Sequence, residues 1–217
     1  MGLYSRYVFP RLMDWSMRRE SIRGQRRETL QGLSGRVLEI GFGTGLNLPH
    51  YPDEVRLLEA VDVNPGMSRL ARQRLQETSL KVQHHSLDGE RLPMSEASFD
   101  CAVSTWTLCS IADVEAALGE IYRVLKPGGR FVFIEHGLSP EAGVARWQRR
   151  LTPLQRLVGD GCRLDRDIAA LLASAGFEEE EMHRYYFQDA PRILGYFYRG
   201  AVCKPVRRDR APATREP

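Results

Sequence analysis

The sequence lacks the features that mark membrane-spanning, secreted and metal-binding proteins. Among its 217 residues, no apolar run reaches the roughly 18 residues that a membrane-spanning helix needs. The first residues lack the compact apolar core of a secretory signal. The four cysteines form no C-x-x-C pair and the histidines do not cluster, so neither a zinc site nor a disulfide framework is indicated. We therefore expect a cytoplasmic protein without a bound metal.

Composition and charge are those of an ordinary globular protein of one domain. Hydrophobic residues make up 42% and charged residues 27% of the chain, and the length is enough for a substantial core. The formal net charge of +3 is too small to indicate nucleic-acid binding, and no obligate protein partner is evident. The positive charge collects at the ends, because residues 1–31 hold seven arginines and the tail after Cys203 holds five more basic residues.

What the sequence does contain is a run of spaced glycines, Val-Leu-Glu-Ile-Gly-Phe-Gly-Thr-Gly, at residues 37–45. Its apolar start predicts a buried strand, and Gly41, Gly43 and Gly45 predict a sharp turn against which a ligand can lie. Nucleotide-type ligands bind at such turns in open α/β sheets. The G-x-G-x-G spacing differs from the G-x-G-x-x-G of dinucleotide enzymes, and Glu39 suits a ligand that carries a positive charge.

A second acid follows at the distance expected for a ribose-binding residue. Asp62 lies near the end of the apolar run 57–63, 23 positions after Glu39. An acid about 20 residues beyond such a glycine turn is placed to accept hydrogen bonds from ribose hydroxyls. Alternatively, Asp62 caps the helix that begins at Asn64-Pro65. Asn64 can itself provide that cap, which would leave Asp62 free for the sugar.

Predicted strands and helices alternate from residue 35 to residue 133. The strands span 36–40, 57–63, 81–84, 99–104 and 129–134, and the helices span 46–51, 66–78 and 113–125. Such alternation predicts right-handed βαβ units, in which a parallel sheet carries helices on both faces.

The remaining part of the chain completes the sheet. Residues 135–164 are less regular, and 165–175 form an amphipathic pattern typical of a helix. Two aromatic-rich strands, 180–187 and 193–203, are joined by a short connection that forces an antiparallel pair at the sheet edge. The predicted fold class is α/β: a Rossmann-like, doubly wound, seven-stranded sheet, mostly parallel with an antiparallel edge pair.

The ends of the chain differ from this central domain, which we place at residues 33–203. Residues 1–32 form a basic amphipathic helical cap, predicted as one or two helices interrupted by Pro10 and Gly24, and residues 204–217 form a disordered basic tail. The cap either packs on the core and closes the active site or lies on anionic lipid as a peripheral membrane contact. The two interpretations are compatible with each other.

A third acid follows the third predicted strand. Asp88 lies just beyond that strand, where it can accept a hydrogen bond from an adenine amino group, and Gly89 lets the ligand come close to the backbone. Taken alone, the segment is a charged surface loop. Together with Glu39 and Asp62, it places three acids along one edge of the sheet.

Five ordered motifs resemble those of class I S-adenosylmethionine-dependent methyltransferases of the methyltransferase type 11 kind. They are Glu39-Ile40-Gly41-Phe42-Gly43-Thr44-Gly45, Val61-Asp62-Val63-Asn64-Pro65, Asp88 with Leu92-Pro93, Ser98-Phe99-Asp100 and Val124-Leu125-Lys126-Pro127-Gly128-Gly129. The resemblance implies S-adenosylmethionine as the cofactor and gives a role to each matching position. Glu39 with the three glycines would hold the methionine end, Asp62 the ribose, and Asp88 with Gly89 the adenine. Ser104 and Thr105 would line the methionine side near the sulfonium.

A narrower resemblance concerns the methyl acceptor. Thr107-Leu108-Cys109-Ser110, Phe133-Ile134-Glu135-His136 and Asp160-Gly161-Cys162-Arg163-Leu164 are similar to segments of the alkyl thiol S-methyltransferases, the methyltransferase-like seven family. Animal members of that family carry an apolar N-terminal anchor, whereas this chain has arginine-rich helices. The resemblance implies a small alkyl or aryl thiol as substrate and Trp106, Cys109 and Cys162 as walls of its pocket.

Two residues are candidates for removing the proton of that thiol. His136 follows the fifth strand, and neutral imidazole is suited to accept a proton near pH 7. Asp160 is the next candidate. For His136, a purely positioning role is an equal alternative, and most isolated cysteines are small buried hydrophobes.

Two other functions remain open from the sequence. Leu48-Pro49-His50-Tyr51 resembles the segment that follows the glycine turn in bacterial phosphatidylethanolamine N-methyltransferases, and a basic N-terminus suits a lipid surface. Other small-molecule N- or O-methylation belongs to the same alternative. A third hypothesis is a scaffold that binds the cofactor without catalysis.

Overall fold

The structure, a computed structural model, describes residues 2–206, apart from the side chain of Ser68. Its strands, in chain order, are β1 (Gly35–Ile40), β2 (Val55–Val61), β3 (Val82–His85), β4 (Phe99–Thr105), β5 (Leu125–His136), β6 (Glu178–Tyr186) and β7 (Tyr196–Cys203). They form one sheet in the order β3-β2-β1-β4-β5-β7-β6. The first five strands are parallel, and β7 runs antiparallel to both β5 and β6. The predicted fold class is therefore confirmed.

The strand order determines where a ligand can bind. The chain moves outward from β1 through β2 to β3, and then returns to the other side of β1 to begin β4. The connections that leave β1 and β4 consequently diverge to opposite faces of the sheet. This divergence opens a crevice at their carboxyl ends, which is the usual ligand site of doubly wound sheets.

Helices cover both faces of the sheet. After a π-helical turn (Tyr4–Val8), they are α1 (Phe9–Ser16), α2 (Glu20–Leu30), α3 (Pro65–Glu77), α4 (Val114–Val124), α5 (Ala142–Val158) and α6 (Ile168–Ser174). The helices α4 and α6 bury one set of apolar side chains against the sheet, around the fully buried Phe99, Phe131 and Phe133. On the opposite face, the end of α2 packs with Val37 and Val103.

The caps of three helices can be traced to the sequence. Asn64, Asp113 and Asp167 each precede a helix and accept a hydrogen bond from a backbone N–H of its first turn. Asn64 therefore provides the cap of α3, as the sequence allows, and Asp62 is not needed for that purpose.

Three sequence-based predictions of local structure were wrong. Pro10 lies in the first turn of α1, where a missing N–H costs nothing, and Gly24 lies inside α2, so the helices separate between Ser16 and Glu20 instead. The helix predicted at 46–51 is only a 3₁₀ turn, Leu48–His50. Most of the irregular segment predicted at 135–164 is the long helix α5.

The structure describes the predicted N-terminal cap and the first residues of the predicted C-terminal tail. The π-helical turn and α1 pack on α3 and cover the crevice. Lys204 is buried, and its ammonium donates to the carbonyl of Leu125 at 2.8 Å, so ordered chain continues past Cys203. The predicted disorder of 207–217 lies outside the described residues. Among residues 2–206, no helix combines the length and apolar character needed to cross a bilayer.

Candidate active site

A cavity of about 470 Å³ lies at the carboxyl ends of β1, β2 and β4. Its walls include eight residues from the predicted set, together with side chains of α1 and α2 that close it from above. The eight predicted residues are Gly41, Gly43, Asp62, Asp88, Gly89, Thr105, Trp106 and Asp160. The cavity is thus built mainly from the motifs that the sequence singles out. We call it the cofactor cavity.

The glycines of the turn after β1 serve different purposes. A Cβ atom on Gly41 would lie 1.9 Å from Oγ1 of Thr107, so only glycine lets the loop after β4 pass so close. A Cβ atom on Gly43 would meet nothing nearer than 3.9 Å, although the φ of +59° favours glycine there too. The space in front of Gly43 belongs to the cavity. The first glycine therefore serves the fold, whereas the second leaves room for a ligand.

Asp62 connects the two turns that face the cofactor cavity. Its carboxylate accepts hydrogen bonds from the backbone N–H groups of Gly43 and Asn64, each at 2.7 Å. Burial raises the pKa of Asp62, although these two hydrogen bonds act in the opposite direction. Because each oxygen has a further lone pair, the carboxylate can still accept hydrogen bonds from a ligand hydroxyl.

Glu39 is not in contact with the cavity. It is completely buried, and its carboxylate accepts hydrogen bonds from Asn47 at 2.6 Å and from Tyr51 at 2.8 Å. Burial raises the pKa of Glu39 to about 7, although Tyr51, Asn47 and the charge of Arg26 lower it. Glu39 reaches the cavity only through its hydrogen bond with Asn47, which lines it, and its predicted contact with the cofactor stays a prediction.

Arg26 is a cavity residue that sequence analysis missed. It is 5% exposed, its Nε donates to Asn47 at 2.9 Å, and its guanidinium lies over the ring of Trp106 at 4.7 Å. Burial lowers the pKa of Arg26 to about 10, while the charge of Glu39 raises it. The residue comes from α2, where it is one of many arginines, so only the packing of α2 against the glycine turn distinguishes it.

The other residues predicted to bind the cofactor lie at the rim of the cavity, in its wall or away from it. Asp88 is exposed at the cavity rim and Gly89 is buried. Thr105 lines the cavity and accepts a hydrogen bond from Asn47 at 3.0 Å. Ser104, by contrast, is fully buried and does not line this cavity, because neighbouring residues of a strand point to opposite faces. Gly45 lies behind the turn, against Leu48, and does not line this cavity.

The loop after β4 is fixed by a buried carboxylate. Glu135 is completely buried in β5, and its Oε1 accepts hydrogen bonds from Ser104 at 2.7 Å and from the backbone N–H groups of Thr107 and Leu108 at 2.9 and 3.0 Å. These bonds hold Trp106 with a φ of +54°, which is unusual for a bulky residue. The sequence carries no signal for this role, because it depends on the pairing of β4 with β5.

A second cavity, of about 440 Å³, lies on the other side of Trp106. It contains all three remaining candidates, Cys109, His136 and Cys162, and much of its wall is aromatic. We call it the acceptor cavity. The two cavities share five wall residues: Phe9, Met13, Met17, Trp106 and Ser110. Trp106 and the helix α1 therefore form the boundary between them.

Cys109, His136 and Cys162 form a compact cluster. The two sulfur atoms lie 3.5 Å apart, and Sγ of Cys162 lies 3.4 Å from Nε2 of His136. The hydrogen bond with Cys109 lowers the pKa of Cys162 to about 4, despite burial, with a further contribution from His136. Burial alone lowers the pKa of His136, but the hydrogen bond and charge of Cys162 raise it. The pKa of Cys109 is raised by Cys162 and by burial.

These shifts bear on the predicted proton acceptor. The pKa of His136 is raised and that of Cys162 is lowered because the two side chains interact with each other. The role of His136 as a base stays a prediction. Asp160 lies in the cofactor cavity and not beside this cluster, because its carboxylate accepts hydrogen bonds from Ser5 at 2.9 Å and Asn64 at 3.3 Å.

Comparisons with known proteins agree with this architecture. Residues 38–133 match the family model of a methyltransferase domain. The chain is 35% identical to human Thiol S-methyltransferase TMT1B over 177 residues, which covers 76% of this chain and 72% of the human protein. It spans 65% to 72% of the thiol S-methyltransferases it matches. It is also 28% identical to a Phosphatidylethanolamine N-methyltransferase from Cereibacter sphaeroides, over 64% of this chain and 70% of that protein.

Solved structures show the same fold. One example is an S-adenosylmethionine-dependent methyltransferase from Thermotoga maritima, with a TM-score of 0.65, 23% sequence identity, and coverage of 93% of this chain and 97% of that one. The glycine turn, the acids at the strand ends and the similarity over most of the chain support the same family. The chain belongs to the class I S-adenosylmethionine-dependent methyltransferases and, within them, to the family that contains the thiol S-methyltransferases.

Proposed function

We propose that this protein transfers the methyl group of S-adenosylmethionine to the sulfur of a small apolar thiol. The observation that carries the proposal is the pair of cavities separated by Trp106. One has acids at the strand ends, and the other is an aromatic pocket with the Cys109–His136–Cys162 cluster in its wall. Such a pair can hold a cofactor and an acceptor on opposite sides of Trp106. Holding two reactants in line supplies much of the acceleration of a displacement reaction.

The residues of the cofactor cavity fit S-adenosylmethionine. Four carboxylates, Asp62, Asp88, Glu90 and Asp160, line it, which suits a ligand whose reactive sulfur is positively charged. The missing Cβ of Gly43 leaves space where the ligand can approach the backbone. Arg26 is the cation in this wall, and we assign it to the carboxylate of the methionine part. When bound, the cofactor supplies an electrophilic methyl group on a sulfonium.

The acceptor cavity favours a small apolar molecule. Tyr185, Phe187 and Phe197 line it together with Trp106, and aromatic rings packed edge to face or tilted against one another in this way exclude water from a bound ligand. An acceptor thiol has an ordinary pKa near 8.5, so only a few per cent is ionised at neutral pH. The cluster of Cys109, His136 and Cys162 lies where it can promote that ionisation.

Incubation with methyl-labelled cofactor tests the proposal directly. The acceptor panel contains alkyl and aryl thiols, each paired with the alcohol of the same carbon skeleton, and also phosphatidylethanolamine vesicles, small amines and RNA. We expect label in the thioethers and none in the matched alcohols. Transfer to a lipid amine alone would replace the proposed acceptor, and cofactor binding without any transfer would support a non-catalytic scaffold.

A lipid amine is the second candidate acceptor, and a surface feature favours it. The exposed apolar side chains of α1 include Leu12 and Trp15, and those of α5 include Leu157 and Val158. The π-helical turn before α1 is joined to the end of α5 by a hydrogen bond from the hydroxyl of Tyr4 to the carbonyl of Val158 at 2.7 Å. Val158 also lines the acceptor cavity. With the arginines of both helices, this surface suits peripheral contact with an anionic membrane.

Vesicle sedimentation separates this candidate from the first. We expect binding to vesicles that contain anionic lipid, with a loss in Trp15→Ser and Leu157→Ser. Val206→Ser, which changes an exposed apolar side chain beyond β7, is the matched surface control. Vesicle binding without methylation of phosphatidylethanolamine would mean that the surface brings the enzyme to apolar thiols dissolved in the membrane. No binding would remove the lipid candidate.

A further inference from the structure

The strongest unassigned feature of the acceptor cavity is the geometry of its cysteine–histidine cluster. The ligand atoms of Cys109, His136 and Cys162 all lie within 4.8 Å of one another. They come from three segments that are distant in sequence: the loop after β4, the end of β5 and the loop between α5 and α6. All three side chains also line the acceptor cavity. A cluster of this composition is a candidate for a soft divalent metal ion.

We propose that Cys109, His136 and Cys162 bind a zinc ion whose fourth position is open to the acceptor thiol. This inference rests on the proposed function, because it names the means by which the thiol is ionised. A site of two cysteines and one histidine with an open position is the composition of a catalytic zinc site, whereas structural sites fill all four positions with protein ligands.

Two of the three distances between ligand atoms match a tetrahedral zinc ion, and the third is within 4.8 Å. Bonds of about 2.3 Å to sulfur and about 2.0 Å to nitrogen put two sulfur ligands about 3.8 Å apart and a sulfur and a nitrogen ligand about 3.5 Å apart. The corresponding distances here are 3.5 Å between the sulfurs and 3.4 Å between Sγ of Cys162 and Nε2 of His136. A disulfide instead requires about 2.0 Å, so the sulfurs would have to move much further to form one.

The supporting structure holds the ligands in place before any ion binds. The backbone N–H of Arg163 donates to the carbonyl of Cys109 at 2.9 Å, which joins the two cysteine loops. The guanidinium of Arg166 donates to the carbonyls of Leu108 and Ile111 in the same loop. Preorganised ligands of this kind are what a metal site requires of its surroundings.

Such a site would also carry out the chemistry that the acceptor needs. A thiol that coordinates zinc loses its proton, which leaves to solvent through the open cavity. The resulting thiolate sulfur forms a bond to the methyl carbon, while the bond from that carbon to the cofactor's sulfonium sulfur breaks. The products are a thioether and S-adenosylhomocysteine. The neutral thioether is a weaker zinc ligand than a thiolate and can dissociate.

Metal analysis of the full chain, purified without chelator, tests the site independently of activity. We expect close to one zinc ion per chain in the unaltered protein and a strong loss in Cys109→Ser, Cys162→Ser and His136→Ala. Cys101→Ser and Cys203→Ser change the two cysteines outside the cluster and should retain zinc. Cofactor affinity and thermal unfolding, measured for every variant, show whether each one folds.

Cobalt replacement gives a second measurement. In protein depleted of zinc and reloaded with Co²⁺, we expect the visible absorption of tetrahedral thiolate coordination, which ethanethiol should shift and ethyl methyl sulfide should not. Zinc content near zero in reduced protein would overturn the inference, as would equal zinc in Cys162→Ser and Cys101→Ser, or a Cys109–Cys162 disulfide in place of the metal. Thiol methylation that survives complete zinc removal would reject the metal but keep the proposed function. Zinc binding without thiol methylation would keep the metal site but reject the proposed function.

Discussion

The cofactor cavity and the acceptor cavity share the residue Trp106 but are built in different ways. The cofactor cavity is lined by consecutive turns at the ends of β1, β2, β3 and β4, where one sequence motif contributes one wall. The acceptor cavity combines α1, α2, α5, the loops after β4 and α5, the end of β5, the edge strand β6 and its neighbour β7. The first is built from short motifs at the ends of neighbouring strands, whereas the second is built from segments that are distant in the sequence.

The largest expected effect concerns the two glycines of the cofactor turn. In Gly41→Ala, the new Cβ would collide with Thr107 and the φ of +77° is unfavourable, so we expect loss of folding or of all measurable cofactor binding. In Gly43→Ala, the Cβ enters open space, so the cost in stability should be about 1 kcal/mol, with cofactor binding strongly weakened. Calorimetric binding and thermal unfolding of both variants measure this contrast. Equal stability losses would show that Gly43 also serves the fold.

The buried acid of the cofactor region should make stability depend on pH. The pKa of Glu39 is about 7 in the folded protein against 4.5 in the unfolded chain. The folded state therefore binds more protons between these values, and the free energy of unfolding falls as pH rises through that window. The total loss is about 3 kcal/mol. Glu39→Gln removes it, because the amide stays neutral.

Denaturant unfolding of the cofactor-free protein measures this effect. From pH 4.5 to pH 7, we expect the free energy of unfolding of Glu39→Gln to rise relative to that of the unaltered protein, and to stay constant above pH 8. Glu77→Gln, an exposed acid at the end of α3, is the control and should show no such rise. A flat difference for Glu39→Gln would mean that Arg26 and Asn47 compensate the buried charge fully.

In the acceptor cavity, substitution of His136 should lower catalysis without affecting cofactor binding. His136→Ala should reduce thiol turnover about 100-fold at pH 6.5 and less at pH 9, where the acceptor thiol ionises unaided. Steady-state kinetics at the two pH values and cofactor calorimetry test this. An equal loss at both pH values would assign His136 to a structural role, and a loss of cofactor affinity would contradict the separation of the two cavities.

The smallest expected effect is that of Asp62→Ala. It removes a carboxylate that faces the ligand, so cofactor binding should weaken by roughly 1–3 kcal/mol. Asp62→Asn keeps one acceptor oxygen for the backbone N–H groups and should lose less. Unchanged calorimetric affinity in the alanine variant would remove Asp62 from the cofactor site and leave it a purely local role between the two turns.

The sequence-based predictions succeeded where a feature depends on neighbouring residues and failed where it depends on contacts between distant segments. The strands and the helix α3 with its cap at Asn64 were predicted from short patterns, because each is determined within a few residues, whereas the cofactor-binding roles of Asp62 and Asp88 stay predictions. The helix α5 was missed because its periodicity is misleading. Its buried face carries Ala145, Gln148 and Thr152, while Trp147 and Leu157 are exposed.

Hydrogen bonding explains that reversed pattern in α5. The amide of Gln148 is completely buried, receives the backbone N–H of Ser139 at 2.9 Å, and donates to the carbonyls of Gly137 and Ile193 at 3.0 and 3.1 Å. A polar residue therefore holds the helix where an apolar one would be expected. Interactions between segments 45 residues apart leave no periodic signal in either of them.

What the sequence by itself determined is the chemistry of the cofactor cavity, since the glycine turn and the acids follow one another at the ends of successive strands. Only the tertiary structure decided which side chains meet in the acceptor cavity. Cys109, His136 and Cys162 are separated by more than 20 residues each, and no spacing motif connects them. Their proximity results from the pairing of β4 with β5 and from the contact between the two cysteine loops, which are long-range interactions that local sequence patterns do not encode.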